Sequence, residues 1–134
     1  MASKEINIIY TNDLISNLKQ LKENPKAFIN IVTLNNLIIY LNGFCNGLIY
    51  ALVKEANEDE YIFYKSPDTL VREYLEDSYL IPKTNKINTV DPNYTMVMYF
   101  KNKYPNISSQ INEFIDLAIK CYGFERLKSY EYYS

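Results

Sequence analysis

The chain has 134 residues, of which 48% are hydrophobic, and it carries a formal net charge of −2 with a pI near 5.2. Its length fits one domain covering residues 1–134, and its apolar content excludes an intrinsically disordered chain. It contains no histidine, which excludes Ser–His and Cys–His catalytic pairs and most zinc sites, and it lacks the basic charge typical of nucleic-acid-binding proteins.

The first predicted helix begins after Asn12 and Asp13, two residue types that cap helices well, and it ends before Pro25. The preceding residues 5–10 are ambiguous, because their apolar side chains alternate as in a strand while Ser3 could cap a short helix. The apolar positions of the predicted helix share one face: Leu14, Ile15, Leu18 and Leu21. No basic start followed by an apolar run precedes them, so we expect no signal peptide and a cytoplasmic protein.

A long helix is predicted from Thr33, its cap, to about Glu55. Apolar residues lie nearly all round this helix, which predicts that it occupies the centre of the domain. Gly43 and Gly47 are four residues apart, a spacing that also occurs where membrane helices pair. We favour a core helix over a membrane span, because the segment is short and contains several asparagines. In a core helix the glycines would let a neighbouring helix approach closely, so Gly43→Leu would be destabilising.

Three further helices have recognisable start signals. The first of these starts consists of Ser66, Pro67 and Asp68, and the second consists of residues 91–92. The last helix is predicted to be capped by Ser108 or Ser109 and to end at Gly123. The longest predicted loop covers residues 80–92. The predicted fold class is therefore all-α, a single compact domain of five or six helices around a central apolar helix, with at most a minor strand.

Acidic residues cluster in two places, and they are the main candidate site. The first group is Glu55, Glu58, Asp59 and Glu60, and the second is Glu73, Glu76 and Asp77. A solvated surface, a docking patch for a basic protein and a carboxylate metal site are all compatible with such clusters. Neither group has the spacing of a calcium-binding loop, so we expect no metal, no cofactor and no catalytic residue. Cys45 and Cys121 lie in apolar helices and are predicted to be buried thiols, while a disulfide between them is the less favoured alternative.

Residues 25–48 carry a motif. Pro25 is followed by Phe28, then by Thr33-Leu34, two turns of apolar helix and the pair Gly43-Phe44. This pattern resembles small bacterial immunity proteins, which are encoded beside polymorphic or contact-dependent growth inhibition toxins. The segment 109–122 is similar to the amphipathic helix that ends such proteins, whereas the tryptophan often found in mid-chain is missing here.

The resemblance implies a helical fold in which Pro25, Thr33, Gly43 and Gly47 are structural, and it transfers no active site. It implies a protein that is not an enzyme and that neutralises a cognate toxin domain by occluding its active site or substrate path. A basic nuclease is one candidate toxin, since the acidic groups could then stand in for phosphates. The alternative is a phage- or virus-encoded helical modulator that blocks a host defence protein. A carboxylate-dependent metal enzyme is a third hypothesis.

Overall fold

A computed structural model describes the backbone of residues 3–53, 65–83 and 91–133, and the side chains of residues 5–52, 65–83 and 91–125. The described chain contains five α-helices and no strand, which confirms the all-α prediction. The helices are α1 (Ser3–Glu23), α2 (Leu34–Val53), α3 (Pro67–Asp77), α4 (Tyr94–Lys103) and α5 (Ile107–Tyr133). A 3₁₀ turn, Pro25–Ala27, follows α1.

Helix α1 begins earlier than predicted. It starts at Ser3 and runs through residues 5–10 without a break, so the strand interpretation of that segment and the cap at Asn12 and Asp13 are both wrong. The spacing of the fully buried side chains explains the result, since they follow one another by three or four residues: Ile6, Tyr10, Leu14, Leu18 and Leu21. The helix ends before Pro25, as predicted.

The core lies between α1 and α5, which make the most extensive helix–helix contact. From α5 the buried side chains include Phe114, Ile115, Ala118 and Tyr122, close to the face that the sequence predicted. Helix α3 packs mainly on α5 as well. The two helices with long, regular apolar stripes therefore form the centre of the domain.

Helix α2 is not the central helix that the sequence predicted. It buries one side, including Leu37, Leu41 and Cys45, but its opposite side carries the exposed residues Ile39 and Tyr50. No atom outside the immediate helix backbone lies within 4 Å of a Cβ built at Gly43 or Gly47. The predicted close approach of a neighbouring helix to these glycines is therefore wrong within the described structure.

The helix starts agree with their sequence signals only in part. Thr33 caps α2, because its Oγ1 accepts a hydrogen bond from the Asn36 amide at 3.1 Å. Pro67 opens α3 as predicted, and α4 begins at Tyr94, two residues after the predicted proline start.

The limits of α5 differ from the prediction at both ends. The Asn106 side chain, and not a serine, caps the helix by accepting the Ser109 amide proton at 2.8 Å. The helix passes through Gly123 and continues to Tyr133, so a C-terminal stop at this glycine is wrong. Isolated glycines are tolerated inside a helix at a modest cost in free energy, and this one has open space beside it.

None of the described helices combines the length and the hydropathy needed to cross a lipid bilayer.

Candidate functional site

Helix α3 carries one of the two predicted acidic groups, and its N-terminal end is tied to both core helices. The hydroxyls of Tyr10 in α1 and Tyr122 in α5 donate hydrogen bonds to the carbonyl oxygen of Lys65, at 2.9 and 2.6 Å. The two rings meet edge to face with centroids 6.4 Å apart. Burial raises the pKa of both phenols, so each keeps its proton and remains a donor. These two hydrogen bonds therefore fix the position of Lys65, two residues before α3 begins at Pro67.

The first turn of α3 is also joined to the start of α4. Asp68 is buried, and its Oδ2 accepts a hydrogen bond from Asn93 Nδ2 at 2.9 Å. Asn93 Oδ1 in turn accepts a hydrogen bond from Arg72 Nη1 at 2.7 Å. A carboxylate is favourable in the first turn of a helix, and this one fixes the position of α4 relative to α3.

The far end of α3 presents the acidic group Glu73, Glu76 and Asp77. Their spacing of three and four residues places them on one helix face. Glu73 pairs with Lys65 at 2.7 Å and Asp77 pairs with Lys83 at 3.7 Å, so each of these two carboxylates has a cation beside it. The first acidic group, Glu55, Glu58, Asp59 and Glu60, lies outside the described residues.

Tyr79 follows directly after this acidic end and has a left-handed backbone, with φ at 60°. Its amide donates to the Glu76 carbonyl at 3.1 Å, and the Leu80 amide donates to the Leu75 carbonyl at 2.9 Å. These two bonds form the Schellman motif that ends many helices, in which glycine usually takes the left-handed position. A residue with a Cβ costs about 1–2 kcal/mol there.

The Tyr79 side chain is 92% exposed, and Leu80 beside it is 51% exposed. The side chain therefore gains almost no packing within the described chain to offset its backbone strain. Strained residues that are held in place by their surroundings cluster at functional sites. Sequence reasoning missed Tyr79, because nothing in the pattern distinguishes an exposed tyrosine in a helix-ending turn from a tyrosine in a loop.

An open groove of about 330 Å³ lies next to Leu80, between α3, α4 and α5. Tyr74, Tyr99 and Tyr104 supply aromatic walls, and the ammonium groups of Lys103 and Lys120 lie beside them. Lys103 Nζ is 5.3 Å from the centre of the Tyr99 ring, and Lys120 Nζ is 5.5 Å from that of Tyr74. Both distances are in the range of cation–π attraction, which orders the lysine side chains.

Lys103 is the cation most strongly held in the groove. Its Nζ donates a hydrogen bond to the Tyr99 hydroxyl at 3.0 Å, and this bond raises the pKa of the ammonium group. The groove thus combines aromatic surface with charges of both signs, since Glu113 and Asp116 line it together with Lys103 and Lys120. Tyrosine surface of this kind is enriched where proteins contact one another.

The chemistry available among the described residues is limited. Burial raises the pKa of the Cys45 and Cys121 thiols to about 11, so both remain protonated at neutral pH and are poor nucleophiles. Among the described side chains, those of residues 5–52, 65–83 and 91–125, no group of three or more acidic or cysteine side chains is placed to hold a metal ion. The acidic end of α3, the exposed pair Tyr79 and Leu80, and the groove that Leu80 lines are neighbours in the fold.

Comparison with known proteins gave no match to a protein-family model, to a curated protein or to a solved structure. The resemblance to immunity proteins therefore rests on the sequence motif of residues 25–48.

Proposed function

We propose that this chain is a cytoplasmic immunity protein that binds a cognate toxin domain and occludes its active site or substrate path. It acts by binding alone, without a cofactor or a catalytic step. The motif of residues 25–48 suggests the class of protein. The observation that carries the proposal is Tyr79, which projects into solvent from a strained backbone position at the end of α3.

Tyr79 suits an interface because tyrosine combines a large apolar area with one polar group, and tyrosines are frequent binding hot spots. Its backbone is held by hydrogen bonds to α3, and α3 is itself anchored to α1 and α5 through Lys65. A side chain held on a rigid support loses less conformational entropy when it binds. Tyr79 and Leu80 would therefore enter a pocket on the toxin as a preorganised apolar pair.

The acidic residues would assist association with a basic toxin such as a nuclease. Electrostatic attraction between oppositely charged surfaces mainly raises the association rate, and salt screens it over about 10 Å at 0.1 M ionic strength. Glu76 and Asp77 lie within three residues of Tyr79, so charge and apolar contact would act at one place. The group Glu55, Glu58, Asp59 and Glu60 stays a prediction for a second acidic contact.

Co-expression tests the proposal. The product of the gene immediately upstream should be toxic alone and harmless when this chain is present. Tyr79→Ala should lose most of the protection, whereas Tyr94→Ala, which removes another exposed tyrosine outside the site, should retain it. If no neighbouring gene product is toxic, the immunity function is wrong.

Binding kinetics test the acidic contribution separately. Reversing the charges of Glu76 and Asp77 should slow association at low salt and have less effect at high salt. The matched control is Asp13→Lys together with Glu23→Lys, which makes the same change in net charge at two exposed positions of α1. An unchanged association rate at low salt would remove the acidic end of α3 from the interface and leave the immunity function standing.

A further inference from the structure

The turn that follows α3 carries Tyr79 and Leu80 outward between two buried side chains. Leu75, in the last turn of α3, and Ile81, directly after the exposed pair, both belong to the hydrophobic core. The chain thus returns to the core only two residues after Tyr79. The direction in which the exposed pair points therefore depends on how the chain reaches Ile81.

Ile81 could not be buried in this way if α3 continued. On a continued helix, residue 81 would lie on the same face as Asp77 and Ser78, which precede it by four and three residues and are both exposed. The left-handed backbone of Tyr79, with φ at 60°, ends the helix and turns the chain, so that Ile81 reaches the core instead. Burial of an isoleucine side chain stabilises a fold by at least as much as one left-handed residue costs. The strain at Tyr79 is therefore offset two residues later.

Two backbone constraints support this arrangement. The carbonyl oxygen of Leu75 accepts hydrogen bonds from the amide of Leu80 at 2.9 Å and, more weakly, from the amide of Ile81 at 3.4 Å. Pro82 disfavours the helical region for Ile81, because the residue before a proline is restricted to extended backbone. Both constraints favour a helix that has already ended when the chain reaches Ile81.

We propose that Ile81 is a positioning residue for the exposed pair: burial of its side chain holds Tyr79 in the left-handed conformation and so directs Tyr79 and Leu80 into solvent. The role in toxin binding rests on the proposed function, whereas the coupling between Ile81 and Tyr79 is a property of the free chain. Without the buried isoleucine, Tyr79 relaxes to a right-handed backbone and its ring leaves the position in which it meets the toxin. Affinity then falls by the fraction of chains that keep the competent conformation.

Thermal unfolding of single and double variants tests the coupling in the free chain. Tyr79→Gly alone should raise the melting temperature by about 3–5 °C through relief of strain. In an Ile81→Ala background the same substitution should give no increase, because the turn has already relaxed, and such non-additivity is the mark of coupled residues. Ile81→Leu, which keeps a buried side chain of the same volume, should restore the increase.

Ile29→Ala is the matched control for this cycle. It removes the same side chain from a position of equal exposure, 7%, in the segment between α1 and α2. In this background Tyr79→Gly should still raise the melting temperature. An equal increase in the Ile81→Ala and Ile29→Ala backgrounds would overturn the proposal.

Amide hydrogen exchange reports on the turn directly. In Ile81→Ala the Leu80 amide should exchange faster by about tenfold relative to the Val71 amide within α3, because the turn opens locally while the helix does not. Equal acceleration at both amides would indicate a general loss of stability and would overturn the proposal. If Ile81→Ala does not fold, Ile81→Val takes its place with a smaller difference, and equal rates at both amides would again overturn the proposal.

Binding of the toxin encoded by the upstream gene tests the functional role. Ile81→Ala should weaken binding about tenfold when Tyr79 is present and should have no further effect in a Tyr79→Ala background, because the ring that it positions is gone. Equal weakening in both backgrounds would overturn the positioning role. A chain that shows the coupling in unfolding and exchange but has no toxic neighbour would overturn the proposed function alone, and Ile81 would still position the exposed pair.

Discussion

Two substitutions of Tyr79 separate the effect of its strained backbone on stability from the effect of its side chain on toxin binding. Tyr79→Gly removes a Cβ from a left-handed backbone position, and the lost side chain makes little packing contact because it is 92% exposed. Relief of that strain is worth about 1 kcal/mol after allowing for the greater freedom of glycine in the unfolded chain. For a chain of this length the melting temperature should rise by about 3–5 °C. Thermal unfolding followed by circular dichroism measures the change.

Tyr79→Ala is the companion variant, because alanine removes the ring but keeps the strained Cβ. Its melting temperature should stay close to that of the wild type. Both variants should bind the toxin more weakly, by about 30-fold if Tyr79 is a hot spot that contributes about 2 kcal/mol. A melting temperature that falls in Tyr79→Gly would refute the strain argument. Unchanged toxin binding in both variants would show that Tyr79 lies outside the interface.

Four other measurements probe the core and the chemistry of the site. Leu14→Ala, in the buried face of α1, should lower the free energy of unfolding by about 2–5 kcal/mol in a urea titration, and a loss below about 1 kcal/mol would contradict the α1–α5 core. Tyr122→Phe should lower it by about 1 kcal/mol, because the carbonyl of Lys65 loses one of its two tyrosine donors. Cys45 and Cys121 have thiol pKa values raised from 9.0 to about 11, so the folded chain binds more protons than the unfolded chain between these values. The free energy of unfolding should therefore fall as the pH rises from about 9 to 11, and a rise over that window would contradict burial of the thiols. Calorimetry with Mg²⁺, Ca²⁺ and Zn²⁺ should detect no stoichiometric site, and micromolar binding of any one of them would favour the metal-enzyme hypothesis.

Much of the helical architecture is readable in the sequence. Apolar side chains at spacings of three and four predict which face of a helix is buried, and this holds for α5 and for most of α1 because burial of one stripe is the main term that stabilises a helix in a protein. Pro25 and Pro67 mark a helix end and a helix start correctly, since proline constrains the backbone locally. These features depend on neighbouring residues alone.

The arrangement of the helices depends on the tertiary structure. Helix α2 has apolar residues on nearly every side, so composition suggested a central position, yet α1 and α5 form the centre and one side of α2 is exposed. Hydropathy indicates how much apolar surface a helix has. It does not indicate how much of that surface the other helices cover in the folded chain. The prediction that a neighbouring helix contacts Gly43 and Gly47 is wrong for the same reason, since no described helix covers that side of α2.

The candidate site was predicted in part. The spacing of Glu73, Glu76 and Asp77 shows from sequence that they share a face of α3, because side chains three and four residues apart are neighbours on any helix. Their lysine partners, the burial of Asp68 and the two tyrosine hydroxyls on the Lys65 carbonyl join residues that are distant in the chain. The left-handed backbone of Tyr79 arises from the hydrogen bonds that end α3, and its exposure depends on where every other helix lies. Local chemistry could therefore be inferred from the sequence, whereas contacts between distant residues and the exposure of each face required the folded chain.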